Sequence, residues 1–432
     1  MNRLIRGGRV VDPSQDLDQK ADVLITAGRI AAIEPAIEIP EDCELIDAEG
    51  HVVTPGWIDA EVHLREPGEE HRETVATGLR AAARGGFTTV LATPDTDPVL
   101  DCRSVCEHLH SLAAAVPDAR LALLGAVSKG LAGEELAAMG EVSAAGAVGF
   151  FEPRTLANTA LLRRALEYAR HFDAPVAVCN EDPHLVSGGV MHEGEVSTRL
   201  GLPGRPALAE ESYLARDLML AADTGGRLHI ARITTAAGLE MVREARRRGV
   251  QVTCATTVQH LVLTDEEVAA RQFSPLVKVK PPLRPETDRR ALVAALAAGE
   301  IDIVVSGHEP SHDDEVLVPF SAAPFGVSAL ETAAAVCLDR LVHTGGVPLA
   351  ALIAAFTSGP ARLYGLEAGT LAPGSPAHIT LLDEDRDTLV DPTMFASRGR
   401  NNPYAGQSLR GGVVGTLVAG QPMMAGEPVD PV

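Results

Sequence analysis

The sequence predicts an α/β fold, a (β/α)8 TIM-type barrel with a small β-sandwich domain that both termini build together. Three observations predict it. The middle of the chain alternates short apolar runs with runs rich in Ala, Leu and Arg, and both ends read as short strands divided by turns. The length of 432 residues suits one barrel with a satellite domain. We predict the small domain at residues 1–54 and 367–432, and the barrel at residues 55–366.

The small domain is predicted from strand patterns at the two ends of the chain. Residues 9–11, 21–25 and 29–33 are rich in β-branched and apolar side chains and are separated by turn signals such as Gly28. From about Gly374 the same pattern returns, with strands predicted at 377–382 and 415–420. Because these strands flank an alternating middle segment, we expect the two ends to meet.

The barrel is predicted from repeated strand and helix runs. Strands are expected at residues 88–92, 121–125, 147–151, 175–179, 228–233, 251–256 and 301–306. Helices are expected at residues 73–84, 156–172, 208–222, 237–248 and 288–297. Alternation of this kind implies parallel strands. In such a barrel the functional side chains lie at the C-terminal ends of the strands.

Composition excludes several classes of protein. With 59 acidic and 37 basic side chains the net charge is −22, and only four of the basic residues are lysines. Nucleic acids and anionic membranes require clustered positive charge, so neither is an expected partner. No apolar run is long enough to span a bilayer, and we recognise no signal peptide. Six scattered cysteines show no disulfide framework, and we therefore predict a reduced, cytoplasmic protein.

Residues 55–68, which include Glu61-Val62-His63-Leu64-Arg65, begin a series of motifs that resembles one family. The further motifs are Arg84-Gly85-Gly86-Phe87-Thr88-Thr89-Val90, Thr93-Pro94-Asp95-Thr96-Asp97-Pro98-Val99, Glu181-Asp182, Gly201-Leu202-Pro203-Gly204, Lys280-Pro281-Pro282-Leu283-Arg284 and Pro324-Phe325-Gly326. In this order they resemble the dihydroorotases, which belong to the metal-dependent amidohydrolases. The resemblance implies a zinc site made of an HxH pair, an aspartate or carbamylated lysine, two further histidines and a catalytic aspartate.

Most of the positions that the resemblance assigns to metal ligands carry other residues here. They are Glu61, His63, Glu152, Cys179, Arg232 and Gly307. Arg232 replaces a ligand histidine with a guanidinium that has no lone pair to donate, and Gly307 stands at the catalytic aspartate. We therefore expect no metal cofactor and no catalytic residue. Instead we predict that Glu61, Glu152 and Arg232 form an ion-pair network in which Arg232 supplies the positive charge.

Alternatives stay open for the other residues of the predicted site. His63 is either a remaining ligand or a buried, satisfied histidine, and Cys179 is either a soft ligand or an inert buried thiol. Arg65 matches the family residue that pairs with the substrate carboxylate, but a salt bridge to Glu66 or Asp95 is equally consistent with the sequence. Two substrate-side asparagines of the family are replaced, by Asp95 and by Lys280.

The main functional prediction is a catalytically inactive dihydroorotase homologue in pyrimidine biosynthesis, and not an enzyme. The resemblance implies that such a protein assembles with aspartate transcarbamoylase, and a homo-oligomer is also expected. One alternative is an active dihydroorotase, or another cyclic-amide hydrolase, whose altered site holds zinc through Glu61, His63 and Cys179. A second alternative is a non-catalytic sensor that binds an acidic pyrimidine precursor at Arg65.

Overall fold

The computed structural model describes residues 2–423. The strands are β1 (Asn2–Asp12), β2 (Leu17–Thr26), β3 (Arg29–Glu34), β4 (Cys43–Asp47), β5 (Val52–Pro55), β6 (Trp57–Val62), β7 (Phe87–Ala92), β8 (Arg120–Ala126), β9 (Ala147–Glu152), β10 (Val176–Val178), β11 (Met191–His192), β12 (Gly204–Arg205), β13 (Leu228–Ile230), β14 (Val252–Thr257), β15 (Ile303–Val305), β16 (Ile379–Leu389), β17 (Ser408–Val418) and β18 (Gln421–Met423).

The α-helices alternate with the barrel strands. They are α1 (Val75–Arg84), α2 (Arg103–Ala114), α3 (Met139–Ala144), α4 (Thr159–Ala169), α5 (Glu195–Leu200), α6 (Ala207–Thr224), α7 (Ala236–Arg247), α8 (Val258–Val262), α9 (Glu267–Ala270), α10 (Glu286–Ala297), α11 (Asp313–Val316), α12 (Ala333–Cys337), α13 (Leu349–Phe356) and α14 (Ser358–Tyr364). Across residues 2–423, no helix combines the length and the apolar character needed to span a membrane.

A nearly closed parallel barrel forms the larger sheet, in the order β15-β14-β13-β10-β9-β8-β7-β6. Its first and last strands are joined at their ends, where the Ser306 amide donates to the Asp59 carboxylate at 3.2 Å. The His63 amide donates to the His308 carbonyl at 3.1 Å. The interior is filled by side chains such as Ile58, Leu91 and Phe151, so the barrel is a packed core. The predicted fold class is confirmed.

A separate β-rich domain contains strands from both ends of the chain. Its sheet runs β18-β17-β16-β5-β1-β2-β3, with β4 paired to β1. The antiparallel pairing of β16 with β5 joins the two ends of the chain. Ile5, Val23, Ile379 and Leu417 lie in one buried cluster. The boundaries 54/55 and 366/367 stay a prediction, and residues 424–432 of the predicted domain lie outside the described residues.

Some predicted elements are shorter in the structure, for local reasons. The strand predicted at 228–233 ends at Ile230, because the following residues turn to place Arg232 at the barrel mouth. The helix predicted at 156–172 begins at Thr159, because the Asn158 side chain accepts the Leu161 amide and caps the helix. These differences shift element ends without changing the order of the fold.

Candidate functional site

A pocket of about 610 Å³ opens at the C-terminal ends of the barrel strands. Its charged lining comes from several strand ends and loops. The acidic and basic side chains are Glu61, His63, Arg65, Glu69, His71, Arg72, Asp95, Asp97, Arg154, Glu181, Arg232, Lys280 and Glu309, and Cys179 and Asn180 also line it. The pocket therefore brings together Glu61, His63, Arg65, Asp95, Cys179 and Arg232 from the sequence prediction.

Arg232 lies at the centre of the buried part of this pocket. Its Nη2 is 2.6 Å from Glu61 Oε1, and its Nε donates to the same oxygen at 2.9 Å. Its Nη1 donates to the Lys280 carbonyl at 2.5 Å and lies 3.6 Å from Glu309 Oε2. Burial would lower the pKa of Arg232, but Glu61 and Glu309 raise it above its ordinary value. The guanidinium is therefore a fixed positive charge at the barrel mouth.

His63 and Asp95 form a hydrogen-bonded pair beside Arg232. His63 Nδ1 is 2.8 Å from Asp95 Oδ2, and His63 Nε2 is 3.3 Å from Arg232 Nη2. Burial opposes the charge on the imidazole, but Asp95 and Glu309 outweigh it and raise the pKa of His63 to about 9. His63 is accordingly an imidazolium at neutral pH, with Asp95 fixing its Nδ1 proton.

Glu61 is the carboxylate that pairs with Arg232, and one of its two oxygens accepts no hydrogen bond. Burial would raise the pKa of Glu61, but Arg232 and His63 lower it, so the side chain is a carboxylate. Its Oε1 accepts from Arg232, whereas the buried Oε2 has no hydrogen-bond partner. A buried carboxylate oxygen without a donor is costly. Glu61 Oε2 is therefore an unsatisfied acceptor that is enclosed by the protein.

Arg65 is surrounded by carboxylates. Its guanidinium lies 3.5 Å from Asp95, 3.5 Å from Glu69 and 3.4 Å from Glu309. The predicted alternative of a salt bridge to Asp95 is therefore present, whereas Glu66 instead accepts the Val75 amide at 2.7 Å. The positive charge of Arg65 is therefore already neutralised by carboxylates of the protein.

Glu152 does not join the predicted ion-pair network. Its carboxylate accepts the Ser128 amide and the Ser128 hydroxyl, each at 2.9 Å, and it is absent from the pocket lining. Burial raises the pKa of Glu152 to about 7. The network prediction therefore needs correction: Glu61 pairs with Arg232, but Glu152 anchors the loop that follows β8.

Gly307 lies outside the pocket lining, and its backbone explains why no side chain stands there. Its φ is +74°, a left-handed conformation that disfavours other residues. A Cβ at this position would meet Gln259 Oε1 at 2.4 Å, and the Gln259 side chain donates to the Ser306 carbonyl at 2.9 Å. A side chain at position 307 would therefore require Gln259 to move away from this contact.

Glu309 is the pocket residue that sequence reasoning missed. It places a carboxylate beside Arg65 and Arg232 and raises the pKa of His63. Glu309 follows the C-terminal end of strand β15 by four residues, and in a barrel of this kind functional side chains lie at such strand ends, which was a usable signal. The neighbouring His308 is fully buried and lies 3.3 Å from Glu73, which gives it a structural role.

The residues present do not fit a zinc ion in this arrangement. Among residues 2–423, no group of three or more His, Cys, Asp or Glu side chains is disposed to hold a metal ion. The Arg232 guanidinium occupies the space between Glu61 and His63, and the Cys179 thiol, whose pKa burial raises to about 12, is not a thiolate. A thiol must be deprotonated to bind zinc well.

Comparisons with known proteins identify relatives over the whole chain. A family model described as Dihydro-orotase-like matches residues 50–237, and one described as Amidohydrolase family matches residues 311–424. The dihydroorotase of Anaeromyxobacter dehalogenans (strain 2CP-C) is 47% identical and covers 96% of each chain. That of Pelotomaculum thermopropionicum is 44% identical, with 98% of this chain and 99% of the relative covered.

The fold is also that of solved hydantoinase and dihydropyrimidinase structures. The L-hydantoinase (dihydropyrimidinase) from Arthrobacter aurescens superimposes with a TM-score of 0.88 at 25% identity, covering 99% of this chain and 97% of the other. Dihydropyrimidinase from Brevibacillus agri gives a TM-score of 0.83 at 25% identity, with 98% and 95% covered.

These comparisons correct two predictions. The expectation that the chain is not an enzyme is wrong, because the relatives are named dihydroorotase and the structural neighbours are hydrolases. The expectation that no metal cofactor belongs to it is also overturned, because its family is one of metal-dependent amidohydrolases. Arg232, which the resemblance assigns to a ligand-histidine position, is the residue whose surroundings do not fit the metal that the family uses.

The barrel topology, the order of the sequence motifs and the sequence identity to relatives all indicate the same family. The relatives named dihydroorotase are 41–47% identical to this chain and cover 96–98% of it. The chain belongs to the dihydroorotase family of the amidohydrolases.

Proposed function

We propose that this protein hydrolyses the amide bond of a cyclic amide at the pocket that contains Glu61, His63 and Arg232. The observation that carries the proposal is the identity of 41–47% to proteins named dihydroorotase over nearly the whole chain. The pocket volume of about 610 Å³ is also in the range of small-molecule sites. The proposed reaction class is hydrolytic ring opening.

His63 is the proposed general acid. Its pKa of about 9 keeps it protonated at neutral pH, and Asp95 accepts the Nδ1 proton. The Nε2 proton has no close acceptor, because Arg232 at 3.3 Å has only donors and Glu61 Oε1 lies 3.8 Å away, so this proton is the one proposed for transfer. An amide nitrogen is a poor leaving group until it receives a proton. His63 would donate its Nε2 proton to the ring nitrogen as the C–N bond breaks. Positioned proton transfer of this kind typically contributes about 10²–10⁴-fold to a rate.

Glu61 is the proposed general base. The carboxylate is ionised, and its Oε2, which accepts from no protein group, would accept from the attacking water once substrate binding admits that water beside it. As the water oxygen bonds to the carbonyl carbon, one water proton passes to Glu61, while the other stays on the new carboxylic acid. The product is the ring-opened carboxylic acid, whose former ring nitrogen carries the proton from His63, and proton exchange with solvent restores His63 and Glu61.

Arg232 is the proposed electrostatic partner of the reacting carbonyl. Negative charge develops on the carbonyl oxygen as water adds, and a fixed positive group beside it stabilises such charge. The N–H groups of Arg232 are engaged by Glu61 and by the Lys280 carbonyl, so Arg232 would act through its positive charge, held in place without reorganisation, and not as a free hydrogen-bond donor. Its guanidinium and the His63 imidazolium supply two positive groups on one side of the pocket.

Ring opening of dihydroorotate and of neutral dihydropyrimidines, followed by chromatography of the open product, tests this function. The assay is run with the purified protein, with and without added zinc, and metal content is measured on the same sample. Product formation supports the proposal. Binding of dihydroorotate without product would instead favour the sensor alternative.

Association with aspartate transcarbamoylase, a homo-oligomeric state and a cytoplasmic location stay predictions. The partner follows from the family resemblance alone, and we retain it as a proposal compatible with activity. Size-exclusion chromatography with light scattering of this chain mixed with the transcarbamoylase from the same source tests it. A shared peak supports association, and two independent elution profiles at micromolar concentration would contradict it.

A further inference from the structure

We infer that Lys280 receives the acidic group of the substrate, and that Arg65 does not. This inference rests on the proposed function, because it assigns the orientation of a carboxylate-bearing cyclic amide in the same pocket. Lys280 and Arg65 both line that pocket. The charges around each cation decide between them.

Arg65 has little capacity left for a ligand carboxylate. Asp95, Glu69 and Glu309 lie within 3.5 Å of its guanidinium. These carboxylates also pair with other cations, Asp95 with His63, Glu69 with Arg72 and Glu309 with Arg232. A ligand carboxylate at Arg65 would still have to displace three carboxylates that already lie against its guanidinium, and like charges at such distances repel strongly where the side chains are largely buried. The Arg65 end of the pocket is therefore unfavourable for an acid.

Lys280 has fewer carboxylates around it than Arg65 has. Its nearest carboxylate is Glu181, at 3.8 Å from Nζ, and Glu181 lies closer to Arg205, at 3.3 Å. One carboxylate is thus shared by two cations, and the lysine side chain remains 36% exposed. Arg154, which is exposed, also lines the pocket and adds positive charge. A ligand carboxylate at Lys280 therefore meets a net positive environment.

The backbone of Lys280 fixes this ammonium group relative to the reacting groups. Its carbonyl accepts from Arg232 Nη1 at 2.5 Å, and the next carbonyl, of Pro281, accepts from His260 Nε2 at 2.9 Å. The residue that would hold the acid is thus bonded directly to the residue proposed to polarise the amide. A substrate held at both points is oriented with its amide toward Glu61 and His63.

Calorimetric binding of dihydroorotate and of uncharged dihydrouracil to Lys280→Met tests the inference. The wild-type chain should bind dihydroorotate, and K280M should weaken that binding roughly tenfold, the order expected for one hydrogen bond to a charged group. Dihydrouracil binding should be unchanged, and Lys280→Arg should restore most of the dihydroorotate affinity. Lys129→Met, which removes an exposed lysine outside the pocket lining, is the matched control.

Three outcomes would overturn the inference: no binding of dihydroorotate to the wild type, equal affinity in K280M, or equal weakening for the charged and uncharged compounds. Unchanged thermal unfolding of K280M excludes misfolding as the cause. Because binding is read without turnover, a protein that binds dihydroorotate but does not open its ring would contradict the proposed function alone. Where turnover occurs, K280M should raise KM for dihydroorotate and leave kcat within a few-fold.

Discussion

Replacing Glu61 by Gln separates its proposed chemical role from its structural one. The change removes a carboxylate that lies 2.6 Å from Arg232 while preserving the size of the side chain. Both side chains are at most 9% exposed, so Arg232 would be left with Glu309 at 3.6 Å as its remaining carboxylate. Breaking a buried pair by removing one partner typically costs about 3–5 kcal/mol. We expect E61Q to lose about that much free energy of unfolding.

The same change should reduce turnover far more than the stability loss explains. Loss of a general base costs about 10²–10⁴-fold in kcat. The assay is steady-state ring opening of dihydroorotate at a temperature where E61Q is fully folded, with urea unfolding measured in parallel. Glu152→Gln is the control, because Glu152 is equally buried but bonds Ser128 outside the pocket. E152Q should keep kcat within about threefold.

The double variant E61Q/R232M tests whether Glu61 and Arg232 stabilise the protein as a pair. Removing both members of a buried pair often restores the stability that removal of one member costs. We therefore expect E61Q/R232M to be more stable than E61Q but no more active. Wild-type kcat in E61Q would refute the assignment of Glu61 as the base. A double variant less stable than E61Q would refute the account of the ion pair.

Two further predictions concern pH and Gly307. His63 has its pKa raised from 6.5 to about 9 on folding, so its contribution, on the order of 3 kcal/mol, is complete below pH 6.5 and is lost as pH rises through about 9. The free energy of unfolding, measured with urea, and kcat should both fall as the pH rises from 6.5 through about 9. If both quantities stayed constant up to pH 10, the assignment of His63 would be contradicted. Gly307→Asp should destabilise the chain by about 2–4 kcal/mol, from left-handed strain plus the clash with Gln259. Gly249→Asp, with φ of +83° and open space around its Cβ, isolates the strain, and equal losses in both variants would exclude the clash.

The sequence predicts the barrel well because its signals are local and repeated. Alternating apolar strands and amphipathic helices require only periodicity, and the closure of the barrel follows from parallel strands of limited number. The ends of the elements depend on individual caps and turns, as at Asn158 and after Ile230. Those contacts are set by the tertiary structure, so the predicted ends differ by a few residues.

The site was predictable in its residue types but not in its pairing. Spacing placed Glu61, His63, Cys179 and Arg232 at strand ends, and the structure brings these four together. The same spacing also suggested Glu152, whose side chain turns to Ser128 because two donors there satisfy its buried carboxylate. The hydrogen-bond donors of Glu152 come from the loop that contains Ser128. The periodicity of the sequence does not predict where that loop lies.

The functional prediction failed for a related reason. Most ligand positions of the family carry other residues in this sequence, and judged one at a time these replacements suggested a protein without activity. Glu309 was not considered, although its carboxylate faces both Arg65 and Arg232. The pocket keeps carboxylates, a histidine and cations in new positions, and identity to proteins named dihydroorotase over nearly the whole chain carries weight that single positions do not.

The most direct test of the central claim is the rate of ring opening of dihydroorotate by the purified wild-type chain beside E61Q. The account predicts formation of carbamoyl aspartate by the wild type, with kcat lowered about 10²–10⁴-fold in E61Q and nearly unchanged in E152Q. Absence of ring opening of dihydroorotate and of neutral dihydropyrimidines by the wild type, with and without added zinc, would contradict it.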